Sequence, residues 1–539
     1  MSEAELRALV DRVRRGRLSR RRFLRLMAAA GVAGPLAAFD ADGNVVPILA
    51  AQVPSIDNGG VARDGTWVIW NLKKGVVWHD GKPFTADDVV FNWEYAADPA
   101  TSAWTMASYR EIDRVERLDS HAVKVVFKRP TPFWADAFCG ARGMLIPRHV
   151  FEPFKGANSR DAPANLRPVG TGPYRFVDFK PGDIVRGELN TAYHVANRPF
   201  FDTLEMKGGG DAASAARAVL QTGEFDYAWN MQVEDDILRR LEQGGKGRIV
   251  VWPTGNPEHI QLNTTDPFRE VDGERSSTKT THPTLSDAAV RAALNMLVDR
   301  GAIQEEIYGR GGQTTANFLN SPSRFYSRNT RWEFSVERAN QVLDAAGWRR
   351  GADGIRAKDG RRLRFVFQTS TNAPRQKTQA IVKQACARAG IELELKSVVA
   401  SVFFSSDAAN PDTYSHFYAD LQMYNIGMNA PDPQVFMAVF VSWEIASREN
   451  KWVGRNITRF RSDEYDRLWR SAETEMDPVK RAALFIRMND LVIRDGAVIP
   501  LLWRGVMHGV SHRLGGLEPN GWDSIFSRLP YWHRAAGGR

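Results

Sequence analysis

Residues 67–95, WVIWNLKKGVVWHDGKPFTADDVVFNWEY, constrain the fold more than any other stretch of this chain. Alternating apolar residues from Trp67 to Leu72 predict a half-buried strand, and Lys74-Gly75 and Asp80-Gly81 predict turns beyond it. Thr85 to Asp88 predicts a capping box, in which a hydroxyl and a carboxylate satisfy N–H groups that a first helical turn leaves unpaired. A helix should follow, with Val89, Val90, Phe91 and Trp93 on its buried face. Trp78, His79 and Asp80 lie among these turn and cap residues and read as fold-forming.

The same segment, LKKGVVWHDGKPFTADDV, resembles the signature of the peptide/nickel class of solute-binding proteins that serve ABC importers, extracellular solute-binding protein family 5. Residues 168–176 (PVGTGPYRF), 223–230 (GEFDYAWN) and 285–300 (LSDAAVRAALNMLVDR) agree in the expected order, so the resemblance runs from about Pro35 to Pro530. It implies an α/β, two-lobed periplasmic-binding-protein fold of class II type, with an accessory subdomain in lobe one. The implied division is an export leader at 1–34, the accessory subdomain at 35–165, lobe one at 166–262, lobe two at 263–500, and a return to lobe one at 501–539. Members of the class begin, after their leader, with a strand and a helix that this sequence does not carry. Pro35-Leu36 follows the leader directly, which would leave strand edges unpaired and keeps open the alternative of a degenerate, non-binding copy.

Coarse patterning within this frame predicts a strand at 363–368, a helix at 375–389 and a strand at 391–398, the pattern of a parallel crossover unit. Ser286 is placed as the cap of a helix whose Val290, Leu294, Leu297 and Val298 keep helical spacing. The polar segment 266–284 marks a crossing between lobes, and the apolar run 498–503 returns the chain.

Near the N-terminus, SRRRFLR at 19–25 resembles the twin-arginine export motif, with Arg20 and Arg21 as its signal, ahead of an apolar run at 26–39. That run is broken by Gly31, Gly34 and Pro35 and falls short of the about 20 apolar residues a membrane-spanning helix needs. No cysteine follows it, so a lipid anchor is not expected. The expected product is periplasmic, exported by the twin-arginine translocase, soluble and monomeric. A basic helix for nucleic acid or lipid is the alternative for this segment.

Composition narrows the function further. The 539 residues, 43% of them apolar, can bury large cores in two or three domains. The net charge of +9 is concentrated at the N-terminus, where residues 1–26 hold nine arginines against three acids. The remainder is mixed, so no basic track for nucleic-acid phosphates is expected. Cys139 and Cys386 are too few to frame a fold and stand in no C-x-x-C pair; both read as buried thiols.

No catalytic constellation stands out. Residues 208–213 (GGGDAA) fit the loose form G-x-G-x-x-A, but Asp226 falls at the start of the following strand, whereas a ribose ligand belongs at a strand's C-terminal end. There is no G-x-S-x-G elbow and no H-E-x-x-H. We therefore expect a binding protein rather than an enzyme, with no cofactor and no metal; an exported oxidoreductase carrying a cofactor is the rival.

The resemblance implies that a peptide or other small solute is captured between the lobes and delivered to an ABC permease complex. Sixteen Trp and 28 Phe suit a cleft that makes broad apolar contact, although most belong to cores. The candidate contacts lie on lobe-facing segments: Trp229 and Asn230, His259 and Gln261 on one crossing, and Trp503 and Arg504 on the other. In the peptide-binding branch a pattern resembling W-x-x-D-x-x-D/E-P pairs its first acid with the ligand ammonium. Asn429 takes the place of that acid and Ile426 that of the tryptophan. A neutral amide cannot neutralise an ammonium in a dry site, so the resemblance implies less reliance on a free N-terminus. Asp432, before Pro433, reads as a turn residue.

Overall fold

The computed structural model describes residues 34–535 except 42, 104, 181–183, 209, 429, 519–520 and 523–524. Arg20, Arg21 and Asn429 therefore lie outside the described residues.

Strand β1 (Trp67–Asn71) pairs with β3 (Ala122–Phe127), which also pairs with β2 (Ile112–Asp119), in an antiparallel sheet. Helix α1 (Ala86–Ala97) follows the predicted cap: the Thr85 N–H donates to Asp88 Oδ2 at 3.0 Å. Asp88 also accepts from Trp78 Nε1 at 3.3 Å and from the Arg148 N–H at 2.9 Å, so this buried carboxylate joins turn, helix and a distant segment. His79 reaches the other way, donating its N–H to Gly170 O at 2.8 Å. The buried face of α1 is Val89, Phe91 and Tyr95, whereas Val90 and Trp93 are only partly covered.

A second antiparallel sheet holds β4 (Tyr174–Lys180), β5 (Ile184–Leu189) and β6 (Thr203–Lys207). Helix α2 (Ala212–Leu220), the short strand β7 (Tyr227–Ala228) and α3 (Asp235–Glu242) come next. Two long strands dominate what remains: β8 (Gly247–Leu262) and, far along the chain, β13 (Val498–Ser511). They run antiparallel from Gly247 opposite Ser511 to Gln261 opposite Val498, with the register broken between Trp252 and Asn256.

Between them in sequence lie α4 (Ala288–Met296), β9 (Gly312–Thr314), β10 (Arg364–Ser370), α5 (Ala373–Arg388), β11 (Glu392–Val398), β12 (Leu421–Asn425), α6 (Asp463–Thr474) and α7 (Pro478–Asp495). Together with β7, β8 and β13, strands β9 to β12 make a seven-stranded sheet in the order β9-β13-β8-β12-β10-β11, with β7 on β13. Strands β10, β11 and β12 are parallel, and α5 makes the crossover from β10 to β11. Asn372 caps α5 by accepting from the Arg375 N–H, and Pro374 occupies its first turn, where no intrahelical N–H is needed. The cap of α4 is Asp287 rather than Ser286, its carboxylate accepting from the Ala289 N–H at 2.9 Å.

Two separate cores share the β8–β13 ribbon. Ile249 and Met507 pack with Val219, Leu220 and Leu238 on α2 and α3. Ile260, Leu262, Leu501 and Leu502 pack with Phe365, Phe367, Leu393 and Val382 on the parallel strands and α5. The chain thus changes core between Trp252 and Glu258, ahead of the polar segment 266–284. A third large core joins the 67–139 region to residues 428–441 and to α6 and α7. The two cysteines are free and buried, Cys139 in this third core and Cys386 in the core of the parallel strands.

Phe367 is fully buried on the central parallel strand. Truncation there leaves a cavity that rigid neighbours cannot fill, so Phe367→Ala should cost about 3–5 kcal/mol, read as a lowered urea midpoint.

Candidate ligand cleft

In open α/β sheets, ligands collect outside the carboxyl ends of parallel strands, where loops are free to vary. Strands β10, β11 and β12 end together at Ser370, Val398 and Asn425. At that edge β8 crosses, with Glu258 opposite Asn425. The first core supplies the facing wall: the segment after β7, from Trp229 to Gln232, and helix α3.

Side chains span the gap between these walls. Asn372 Nδ2, at the start of α5, donates to Gln232 Oε1 at 3.0 Å. Lys377 meets Glu234 at 2.7 Å, and Arg310 meets both Asp235 at 2.7 Å and Glu242 at 2.6 Å. On another side, Arg129 reaches Glu473 of α6 at 3.3 Å and Arg110 reaches Glu444 at 3.2 Å. The pairs of Asn372, Lys377 and Arg310 join the first core to the core of the parallel strands, whereas those of Arg129 and Arg110 lie at the edge of the third core.

The crossing itself is fastened by polar contacts. Where the ribbon register breaks, Thr254 Oγ1 donates to Arg504 O at 2.8 Å, the Asn256 N–H donates to Thr254 Oγ1 at 3.0 Å, and Trp503 Nε1 donates to Thr254 O. Gly255 sits against Met428, whose side chain would stand 2.8 Å from any added Cβ, and the Met428 N–H donates to Asn256 Oδ1 at 2.9 Å. The loop after β12 is thereby tied to the crossing.

Beside it lies a buried ion cluster that sequence patterning does not reveal. Glu258 accepts from Arg375 Nε at 2.6 Å and from Arg504 Nη1 at 3.1 Å, while Arg375 Nη1 donates to Ser370 Oγ at 3.0 Å. The Arg504 guanidinium lies over the Tyr308 ring at 5.3 Å. Burial works to raise the Glu258 pKa, but the Arg375 and Arg504 charges outweigh it and hold the carboxylate below its usual range. The one sequence hint is an acid standing in the otherwise strand-like run at 258–262.

The candidate contacts named from sequence are thus scattered. Trp229, 56% exposed, closes β7 on the first-core wall, and Asn230 beside it is held at φ 53°. His259 and Gln261 are buried inside the sheet; His259 packs between Phe318 and Tyr424, with ring centroids 5.2 and 4.8 Å away. Trp503 and Arg504 are at the crossing, the first braced on Thr254 and the second committed to Glu258. Asp432 is more than a turn residue: it accepts from the Gln434 N–H at 2.9 Å and pairs with Arg481 of α7.

Among the described residues no group of His, Cys, Asp and Glu is placed to hold a metal ion. Burial lowers the His259 pKa to about 4 and that of His508, bonded to the Tyr227 hydroxyl at 2.6 Å, to about 3. Both rings are neutral when folded.

Two outcomes follow from these charges. Glu258→Gln leaves two buried guanidinium groups without a counter-charge and should cost about 3–5 kcal/mol of unfolding free energy by urea titration. For the histidines, the folded pKa lies below the ordinary 6.5, so the unfolded chain binds more protons as the medium acidifies. Their contribution is complete above that value and is lost as pH falls towards about 4. Urea midpoints at pH 7.5 and 5 should therefore fall less steeply in His259→Asn than in the wild type.

The model of the bacterial extracellular solute-binding proteins, family 5 Middle, matches residues 44–447. The oligopeptide-binding protein AppA of Bacillus subtilis is 28% identical over 363 residues, 66% of this chain and 61% of that protein, so the match spans less than two thirds of that relative. The glutathione-binding protein GsiB of Escherichia coli O157:H7 is 23% identical over 458 residues, 85% of this chain and 81% of that protein. In three dimensions, NikZ from Campylobacter jejuni, solved with Ni(L-His), superposes with a TM-score of 0.78 at 22% identity over 93% of both chains. AppA from Bacillus subtilis, solved with a nonapeptide, gives 0.77 at 22% over 94% of this chain and 93% of that one. These neighbours share the two-lobed α/β fold, and the family match extends over most of the sequence: the chain belongs to the bacterial extracellular solute-binding proteins of family 5.

Proposed function

We propose that this protein captures a peptide or peptide-like solute between its two lobes and presents it to an ABC permease complex. The observation that carries the reading is the gap at the carboxyl ends of β10, β11 and β12, bridged by the Asn372–Gln232, Lys377–Glu234 and Arg310–Asp235 pairs and flanked by the β8–β13 crossing. A ligand touching both walls stabilises the closed form by its differential affinity for it. The names of the relatives support peptides or peptide-like compounds as the ligand class.

The finer assignments belong to the same proposal. The leader at 1–34, with Arg20 and Arg21, routes the chain through the twin-arginine translocase to the periplasm; among the described residues no helix is long and apolar enough to cross a membrane. The accessory subdomain is assigned to 35–165, lobe one to 166–262 and 501–539, and lobe two to 263–500. The protein acts as a monomer, by binding rather than catalysis. Trp229, Asn230 and Asn429 are assigned to solute contact, with Trp503, Arg504, His259 and Gln261 shaping the floor behind them.

Thermal unfolding of the chain from Pro35 onward against di- to nonapeptides, glutathione, amides and histidine chelates tests the assignment. A solute that binds only the folded state raises the midpoint by mass action, so a shift confined to one class identifies it, and no shift with any class sinks the reading. Closure has its own test. Arg310→Glu places like charges against Asp235 and Glu242. It should enlarge the radius of gyration in solution scattering and weaken solute binding about tenfold, the effect of some 1.4 kcal/mol taken from the closed state.

A further inference from the structure

The apolar run of the leader and the first core strand use the same residues. The run extends over 26–39, yet Gly34 and Pro35 are buried, Leu36 and Ala37 are fully covered, and Ala38 and Phe39 are nearly so. A short strand, Ala37–Phe39, pairs antiparallel with Val45–Pro47, with Ala37 opposite Pro47 and Phe39 opposite Val45, and Ala37 forms a further parallel bridge with Cys139. Leu36, Ala37 and Phe39 belong to the third core, with Trp70 and Phe138.

The backbone is held as firmly as the side chains. The Leu145 N–H donates to Gly34 O at 3.2 Å, the Leu36 N–H donates to Phe138 O at 2.9 Å, and Leu36 O accepts from the Ile48 and Ala50 N–H groups at 3.0 and 2.9 Å. A Cβ added at Gly34 would stand 3.2 Å from Thr171 Oγ1 and 3.4 Å from Leu49 Cδ1. At the far end of the strand the Asp40 N–H donates to Asn44 O at 2.9 Å, and Asp40 Oδ1 accepts from the Asn44 N–H at 2.8 Å, closing a turn.

Removing an export leader needs an accessible stretch of chain. Such a leader carries about 7–15 apolar residues and then a cleavage site of small residues in A-x-A-like form. A protease takes its site as extended, exposed backbone, so it cuts at loop tips and loose termini rather than in paired, buried segments. The first small-residue site, Ala28-Ala29-Ala30, would leave only residues 26–30 as the apolar run, which is below that range. The next, Val32-Ala33-Gly34, lengthens the run but puts the bond to be cut between Gly34 and Pro35, both buried and flanked by groups already hydrogen-bonded. The last, Leu36-Ala37-Ala38, runs into the strand itself. With residues 34–39 in the core, residues 26–33 remain as the apolar run and no cleavage region is left after them.

We propose that docking of residues 34–39 closes the leader junction, so that the folded protein keeps its leader and is exported unprocessed. This rests on the reading of residues 1–34 as a twin-arginine leader, whose translocase passes chains already folded. An unfolded chain offers the same bonds freely, because proteolysis follows the population of the open form. The order of folding and export thus decides the N-terminus.

The test follows the full chain in cells that carry the translocase and reads the N-terminus of the exported material by intact mass. A second chain carries Ser-Ala-Gln-Ala-Ser-Gly-Ser-Gly inserted between Ala33 and Gly34, which supplies an A-x-A site ahead of the strand. The full chain should be exported with its leader intact, and the spacer chain should be exported and cut within the spacer. A full chain whose N-terminus falls anywhere from Met27 to Asp40 overturns the proposal while the leader reading stands. So does a spacer chain that is exported uncut, because the fold is then not what protects the leader. Export of the spacer chain alone means that docking hides the leader itself, and an exported, unprocessed protein is ruled out. Export of neither chain sinks the leader reading and the proposal with it. The chain from Asp40 onward, which lacks the strand, should unfold at a lower temperature than the chain from Pro35 onward. Equal midpoints would show that residues 35–39 are no part of the core, and the proposal falls whatever the export result.

Discussion

Everything in this molecule hangs on one antiparallel ribbon. Strands β8 and β13 are long enough to belong to two cores at once, and their register breaks around Thr254, between Trp252 and Asn256, and shifts again between Glu258 and His259. A β-ladder is stiff along its length because each residue is bonded to its partner, so bending concentrates where pairing lapses. Three polar contacts to Thr254 and Asn256 restrain that point without filling it with apolar bulk. The ribbon thereby links the first core to the core of the parallel strands through a joint rather than through shared apolar packing.

Charge is distributed around that joint in two ways. Glu258, Arg375 and Arg504 form a closed set just on the β12 side, each with a partner, and behave as part of the core. The pairs at Arg310 and Lys377 lie across the gap, with one member exposed or half-exposed, and in the proposed opening they exchange protein contact for water. Exposed pairs of this kind contribute little individually. They suit a closure that must reverse, because the open and closed forms then differ by a small free energy that a ligand can decide.

The fold was legible where its causes are local. The 67–95 stretch carries its turns, its cap and its strand in consecutive residues, and the crossover at 364–398 keeps the periodicities of strand and helix. The site was much less so. Glu258 meets Arg375 117 residues away and Arg504 246 residues away, and no spacing rule connects them. Asp432 read as a turn residue because its Pro neighbour is local, whereas its ion pair with Arg481 is set by how α7 packs. His259 and Gln261 sit in an alternating strand, and the side of the sheet they face is decided by Phe318 and Tyr424, which only the assembled fold brings there. Asn429 lies outside the described residues.

The two cysteines have a consequence of their own. Each thiol is sealed in a different core, and burial pushes that of Cys386 up to about 12, so Cys386 offers no thiolate to an oxidant while the chain is folded. Cys386 lies within the core of the parallel strands, on one side of the ribbon joint, whereas the core that holds Cys139 joins the 67–139 region to α6 and α7. Thiol trapping at Cys386 in an oxidising medium would therefore be blind to opening and closing about that joint and would count only the moments when its own core comes apart, giving this protein a built-in clock for its own unfolding.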